Sequence, residues 1–220
     1  MLIFFGGEPF LNIDLLEKSV SYMNSFEMLR NKIEYIVTTN GSVFNSKIEK
    51  LVSENPFEIS ISIDGMEFIH NKNRPYKNKT ESFETVIENY LNFAKCTDKI
   101  SSQMTVNKND IKYMQDSVEF LWSRGIKKVY SNLVFNKNIL YETDDFIDYN
   151  NQIKKLTSRT FENLKKTVDR TYENVIDLSK NIFNKKYSVN CFARRRHCLI
   201  TSADGERYSC YRGIGKKEFF

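Results

Sequence analysis

Met1-Leu2-Ile3-Phe4-Phe5-Gly6-Gly7-Glu8-Pro9-Phe10 opens the chain and decides how the rest is read. A continuous apolar run ended by a turn signal reads as a fully buried strand of parallel type. Two glycines let the backbone pass close to a neighbour and leave its peptide groups uncovered. Glu8 then stands at the carboxyl end of the strand, and Pro9 fixes φ at the exit. The carboxyl ends of parallel strands are where α/β proteins place their ligands. A carboxylate held there can accept hydrogen bonds from an ammonium group. The same residues also spell an ordinary strand-to-helix turn with a solvated glutamate.

The segments that follow repeat the opening. Asn12 or Asp14 can cap a helix whose apolar positions, Leu15, Leu16, Val20, Met23, Phe26 and Leu29, have helical spacing. Ile33 to Thr38 reads as a strand, with Thr39-Asn40-Gly41-Ser42 as its turn. Ile48, Leu51 and Val52 mark a short helix. Phe57 to Ile63 alternates and ends at Asp64-Gly65. A polar stretch with His70, Arg74 and Pro75 leads into a helix carrying Phe83, Val86, Ile87, Tyr90 and Phe93. Ser101 to Val106 is a fourth strand. Ile111 to Leu121 is a helix closed by Gly125, and Val129 to Phe135 is a fifth strand.

Strand and helix thus alternate with short connections, which argues for parallel βα units. The polar residues Glu8, Asn40, Asp64 and Asn107 follow successive strands, and all gather on one face if the strands close around an axis. No Gly-x-Gly-x-x-Gly fingerprint of a dinucleotide site is present. The expected fold is α/β: a partial parallel (β/α) barrel over 1–143, lacking its first strand, then a helical connector over 144–189. Phe146, Tyr149, Ile153, Leu156, Phe161, Tyr172 and Val175 recur through that connector at helical spacing. Phe83, Phe93 and Phe161 read as core residues.

Composition bounds the function. A chain of 220 residues, 40% hydrophobic and 28% charged, can bury one sizeable core with a smaller appended piece. No stretch approaches the roughly 18 consecutive apolar residues that a membrane span needs. The opening lacks the basic region of a signal peptide, so a cytoplasmic location without a membrane partner is expected. Lys and Arg total 33 against 28 Asp and Glu, a net charge of +5 that suits solubility and does not call for nucleic acid. Lys165-Lys166, Lys185-Lys186 and Arg194-Arg195-Arg196 read as solvated faces or loops.

The chain's four cysteines are Cys96, Cys191, Cys198 and Cys210. Three cysteines clustered in a tail without a secretory signal point to metal or chemistry rather than disulfides. Leu199 to Cys210 reads as a β-hairpin turned at Asp204-Gly205. It brings Cys191 and Cys210, spaced Cys-x13-Gly-x4-Cys, towards one side. Thiolates are the ligands that iron–sulfur clusters require. Cys198 reads either as a further ligand or as a core cysteine. Cys191, His197, Cys198 and Cys210 also compose a Cys3His set, so a zinc-binding interaction module over 190–220 is an alternative.

Phe4-Phe5-Gly6-Gly7-Glu8-Pro9 resembles the Gly-Gly-Glu-Pro motif of radical S-adenosylmethionine (SAM) enzymes. Thr39-Asn40-Gly41, Ser60-Ile61-Ser62-Ile63-Asp64-Gly65, His70 with Asn73-Arg74-Pro75, and Met104-Thr105-Val106 resemble later segments of that family in order and spacing. The tail resembles the opening signature of the SPASM extension: a cysteine, a variable stretch, a glycine, four residues and a cysteine. Cys210-Tyr211-Arg212 is similar to the stretch found there in peptide-modifying members. The resemblance implies a maturase of a ribosomally made peptide or protein. In it a reduced [4Fe–4S] cluster splits SAM, and the 5′-deoxyadenosyl radical takes a hydrogen from the substrate. It implies SAM contacts at Gly6, Gly7, Glu8, Pro9, Asn40, Ser62 and Asp64, and auxiliary cluster ligands at Cys191, Cys198 and Cys210. It also implies an electron donor such as flavodoxin or ferredoxin.

The chain departs from the family at three points. The Cys-x3-Cys-x2-Cys motif of the radical SAM cluster is absent from these residues, as is the later cysteine run of the extension. Gln103 stands where an arginine is expected. The reading is therefore a radical SAM/SPASM maturase truncated at both ends, inactive towards SAM by itself, with no catalytic residue assigned.

Overall fold

Six strands pair in the order in which they occur in the chain. The structure, a computed structural model, describes residues 1–28, 32–135, 138–184, 199–202, 204–208 and 214. β1 (Leu2–Phe4), β2 (Tyr35–Thr39), β3 (Phe57–Ser62), β4 (Ile100–Val106), β5 (Lys128–Leu133) and β6 (Thr171–Tyr172) form one all-parallel sheet, ordered β1-β2-β3-β4-β5-β6. A doubly wound sheet reverses strand order at a switch point. A strictly sequential order is instead the winding of a (β/α) barrel, here open between β1 and β6.

Each crossover carries helix: α1 (Ile13–Asn24), α2 (Ser46–Glu54), α3 (Glu67–Asn73), α4 (Phe83–Cys96), α5 (Met114–Ser123) and α6 (Thr143–Lys165). α7 (Glu173–Phe183) follows β6. Local chemistry sets their ends. Asn12 Oδ1 accepts from Leu15 N–H to cap α1, and Asn45 Oδ1 accepts from Lys47 and Ile48 N–H to cap α2. α5 stops at Gly125, where Ile126 N–H bonds back to Leu121 O.

The two faces of the sheet differ in chemistry. Tyr35, Val37, Ile59, Ile61, Met104 and Val129 are buried in one core cluster with Leu16, Ile48, Phe83, Phe93 and Val118 of the helices. Alternation and register place Thr38, Ser60, Ser62, Ser101, Gln103, Thr105 and Tyr130 on the other face. A packed barrel centre is filled with branched apolar side chains. This one carries Ile3, Ile36 and Glu58 beside a run of hydroxyls and an amide, and the hydroxyl-bearing part suits a polar ligand.

Three expectations need correction. β1 is an edge strand with Ile3 39% and Phe5 56% exposed, so its apolar run does not mark a fully buried strand. The region read as wholly helical contains β6, paired to Lys128 and Val129. Phe161, read as core, is 44% exposed on α6, whereas Phe83 and Phe93 are fully buried.

The chain divides into two compact units, Met1–Asp177 and Leu178–Phe220. In the second, β7 (Ile200–Thr201) and β8 (Arg207–Tyr208) form the antiparallel hairpin expected from the sequence. Gly205 in its turn has φ +86°, and Ser202 N–H bonds to Glu206 O at 2.9 Å. Among the described residues no helix is long and apolar enough to cross a membrane.

Candidate functional site

The carboxyl end of β1 breaks into Gly6-Gly7-Glu8-Pro9. Gly6 and Gly7 take φ values of +98° and +56°, a region that L side chains rarely adopt. A Cβ at either position would meet nothing within 4 Å. Both glycines are exposed. Pro9 begins a short 3-10 turn (Pro9–Asn12), and buried Phe10 stacks on Phe93 with ring centroids 5.3 Å apart. That contact anchors the exit of the turn in the core.

The Glu8 carboxylate is held on three sides. Oε1 accepts from Thr39 Oγ1 at 2.6 Å and from Phe10 N–H at 3.2 Å, and Oε2 accepts from Asn40 N–H at 2.7 Å. Thr39 ends β2 and Asn40 follows it, so these bonds tie the carboxyl ends of neighbouring strands together. An ionised carboxylate offers about four acceptor positions. Two are taken on Oε1 and one on Oε2, which leaves one on Oε2. The next residue, Gly41, is fixed by crowding: a Cβ there would lie 2.8 Å from Ile61 Cγ2 and 2.9 Å from Val86 Cγ1.

A second network closes the neighbouring ends of β3 and β4. Asp64, 3% exposed, accepts from Arg74 Nε at 2.8 Å and from Thr105 N–H at 2.9 Å. Arg74 Nη2 donates to Thr105 Oγ1 at 3.1 Å, which lays the guanidinium across the end of β4. Asp64 N–H donates to His70 Nδ1 at 3.2 Å. Ser82 Oγ donates to Arg74 O at 2.6 Å, so it must accept from His70 Nε2–H at 3.1 Å. The imidazole is thereby the neutral Nε2–H tautomer. Burial pushes its pKa down to about 4, with Asp64 opposing and Arg74 assisting the shift.

The residues singled out from the sequence thus share one end of the sheet but differ in what they can do. Gly6, Gly7 and Glu8 are open to a ligand, and Pro9 is buried behind them. Asn40 is exposed, with its side-chain carbonyl engaged by Ser42 N–H. Ser62 ends β3 on the polar face, opposite Gln103. Asp64 has both oxygens occupied by protein donors and acts as a clamp. Buried Gln103 Nε2 has no hydrogen-bond partner among the described residues. Cys191, Cys198 and Cys210 lie outside the described residues.

Sequence reasoning gave no site role to Thr39 or to the His70–Ser82 pair. Thr39 sits in a turn signal, and nothing in its neighbours marks it as the donor to a carboxylate 31 residues earlier. A surface cleft lined by Lys72, Asn107, Lys108 and Asn138 to Leu140 lies beyond β4. Its lysines are already paired, Lys72 with Asp110 and Lys108 with Asp145.

No family model matches the chain. An uncharacterized protein of Methanocaldococcus jannaschii is 35% identical over 132 residues, which are 60% of this chain and 45% of that protein. A cysteine-type anaerobic sulfatase-maturating enzyme of Clostridium novyi is 30% identical over 118 residues, 53% of this chain and 32% of that enzyme. Its counterpart in Clostridium perfringens is 23% identical over 94% of this chain and 58% of its own length. The chain therefore spans between 32% and 58% of the curated relatives it matches. Among solved structures, histidine-tagged anSMEcpe with bound AdoMet superposes with a TM-score of 0.79 at 22% identity, over 94% of this chain and 56% of that one. Streptococcus suis SuiB has a TM-score of 0.64 at 11% identity, over 98% of this chain and 51% of that one. The chain is homologous, over most of its length, to the cysteine-type anaerobic sulfatase-maturating enzymes, in line with the resemblance of its Gly-Gly-Glu-Pro segment.

Proposed function

We propose that this chain is the SAM-binding, substrate-facing part of a radical SAM maturase that modifies a ribosomally made peptide or protein. The observation that carries the reading is Glu8: a carboxylate fixed between two strand ends, with one acceptor position left, in a turn that begins with two exposed glycines. That geometry suits the ammonium of the methionine moiety of SAM. Asn40 and Ser62 line the same mouth, and Asp64 shapes it by holding Arg74. Relatives named as sulfatase-maturating enzymes support the reading, as does a structural neighbour described with bound AdoMet and a Cys peptide.

The residues fit SAM through this donor and acceptor set. A [4Fe–4S] cluster, when bound, supplies the electron for SAM cleavage. The cysteine motif for that cluster is not among these 220 residues, and Cys191, Cys198 and Cys210 are proposed as ligands of an auxiliary cluster. What this chain's own residues do is bind and orient SAM and present a polar sheet face to the substrate. Titration calorimetry tests this. Glu8→Gln removes the charge that faces the ammonium and should weaken SAM binding about tenfold or more; its amide NH2 also replaces one acceptor oxygen of the strand-end tie, so the thermal midpoint should fall as well. Equal affinity in the two proteins would remove Glu8 from the site.

A further inference from the structure

Thr39 is buried, 2% exposed, and its hydroxyl has two partners whose chemistry fixes its direction. Gly41 N–H can only donate, so Thr39 Oγ1 accepts from it at 3.0 Å. The ionised Glu8 carboxylate can only accept, so the hydroxyl proton goes to Oε1 at 2.6 Å. Next to it, Asn40 N–H holds Oε2 at 2.7 Å. The Asn40 amide keeps the carboxylate at the strand end, and the hydroxyl is the shorter of the two donors that fix Oε1, the other being Phe10 N–H at 3.2 Å. Without the hydroxyl only that longer contact holds Oε1, and the terminal torsion, a broad well with no strong preference of its own, is less tightly set.

We infer that Thr39 is a positioning residue for ligand binding: by donating to Glu8 Oε1 it keeps the free acceptor position on Oε2 aimed at the ammonium group of the ligand. The inference rests on the SAM reading of the Glu8 site and adds a residue that never touches SAM. It also accounts for the hydroxyl at a position where β2 otherwise presents apolar side chains to the core, at Tyr35 and Val37.

The test uses two ligands and three substitutions in the full chain. SAM carries the ammonium group, whereas 5′-methylthioadenosine has the adenosine and the sulfur without it. Thr39→Val keeps the size and removes the donor, along with the acceptor for Gly41 N–H. Thr39→Cys keeps a weaker donor, and Thr39→Ser keeps the hydroxyl. Thr39→Val should weaken SAM binding about tenfold and leave 5′-methylthioadenosine binding unchanged. Thr39→Ser should restore SAM affinity to within about threefold, and Thr39→Cys should fall between. If Thr39→Val does not fold, the Ser and Cys proteins still carry the comparison. Equal SAM affinity in the donor-bearing and donor-poor proteins would overturn the inference. So would parallel losses for both ligands, which mark general damage to the fold. Failure of the unsubstituted chain to bind SAM would instead overturn the reading of the Glu8 site, and this inference with it.

Discussion

His70 shows at the scale of one residue how a motif position becomes a structural tie. It accepts from the Asp64 backbone and donates to Ser82, and both bonds need the neutral ring. Its pKa falls from 6.5 to about 4 in the folded protein, so protonation favours the unfolded chain. The stabilisation is complete above pH 6.5 and is lost as pH falls from there through about 4. At one proton over that window the loss is about 3 kcal/mol. His70→Gln, which has no such titration, should be less stable than the unsubstituted chain at pH 7. The gap should narrow by about that amount at pH 4, as read by urea denaturation across the window. A gap independent of pH would show that the ring is not held neutral. His70 and Arg74 were legible in the sequence as a polar stretch after a strand. Their mutual wiring was not, because it depends on Ser82, which no local pattern distinguishes from an ordinary helix cap.

Elements were legible in proportion to their length. The five longer strands and most helices between them announced themselves by period and by turn residues, and the structure moves the strand ends by only one or two positions; α3 falls in the segment read only as a polar stretch, and α1 ends at Asn24, short of Phe26. β6 escaped because two residues carry no period. Tyr172 and Val175 fall at helical spacing with the residues of α6, and only Thr167 at φ +56° marks the break. What holds β6 in the sheet is largely side-chain chemistry. The Tyr172 hydroxyl and Ser131 Oγ share a hydrogen bond of 2.7 Å. Asn174 continues the pairing beyond the strand: its Oδ1 accepts from Ser131 N–H and its Nδ2 donates to Ser131 O, both at 2.9 Å. Ser131 is 1% exposed, so losing this partner leaves two buried peptide groups unpaired. Asn174→Ala should cost about 2 kcal/mol in denaturant-unfolding experiments. It should also speed amide exchange at Ser131. A loss below a few tenths of a kcal/mol would mean that Asn174 is not part of the sheet's edge.

For the whole molecule, the opening Gly-Gly-Glu-Pro turn and the alternation of strand and helix were enough to point to a sequentially wound parallel sheet. The polar face and the shared end of Glu8, Asn40, Ser62 and Asp64 then follow from topology. The division of labour among those residues did not follow. Glu8 and Asp64 look alike in sequence, each a carboxylate after a strand. Yet Glu8 keeps an acceptor position free, while Asp64 has its oxygens taken by Arg74 and Thr105. The proposed SAM chemistry calls for a cluster whose cysteine motif is not among these residues. Anaerobic reconstitution of the chain with iron, sulfide, reductant and SAM should give no catalytic 5′-deoxyadenosine, because no Cys-x3-Cys-x2-Cys motif is present to hold the cluster that supplies the electron. Turnover from this chain alone would show that an electron reaches SAM by another route.

Backbone amide chemical shifts locate the ligand residue by residue. SAM titrated into the isotopically labelled chain should shift the backbone amides of Gly6, Gly7, Asn40 and Gly41 in a saturable way. The Glu8→Gln protein should lose those shifts at the same SAM concentrations. Saturable shifts centred elsewhere, with the amides of the Glu8 turn and the end of β2 unmoved, would contradict the account.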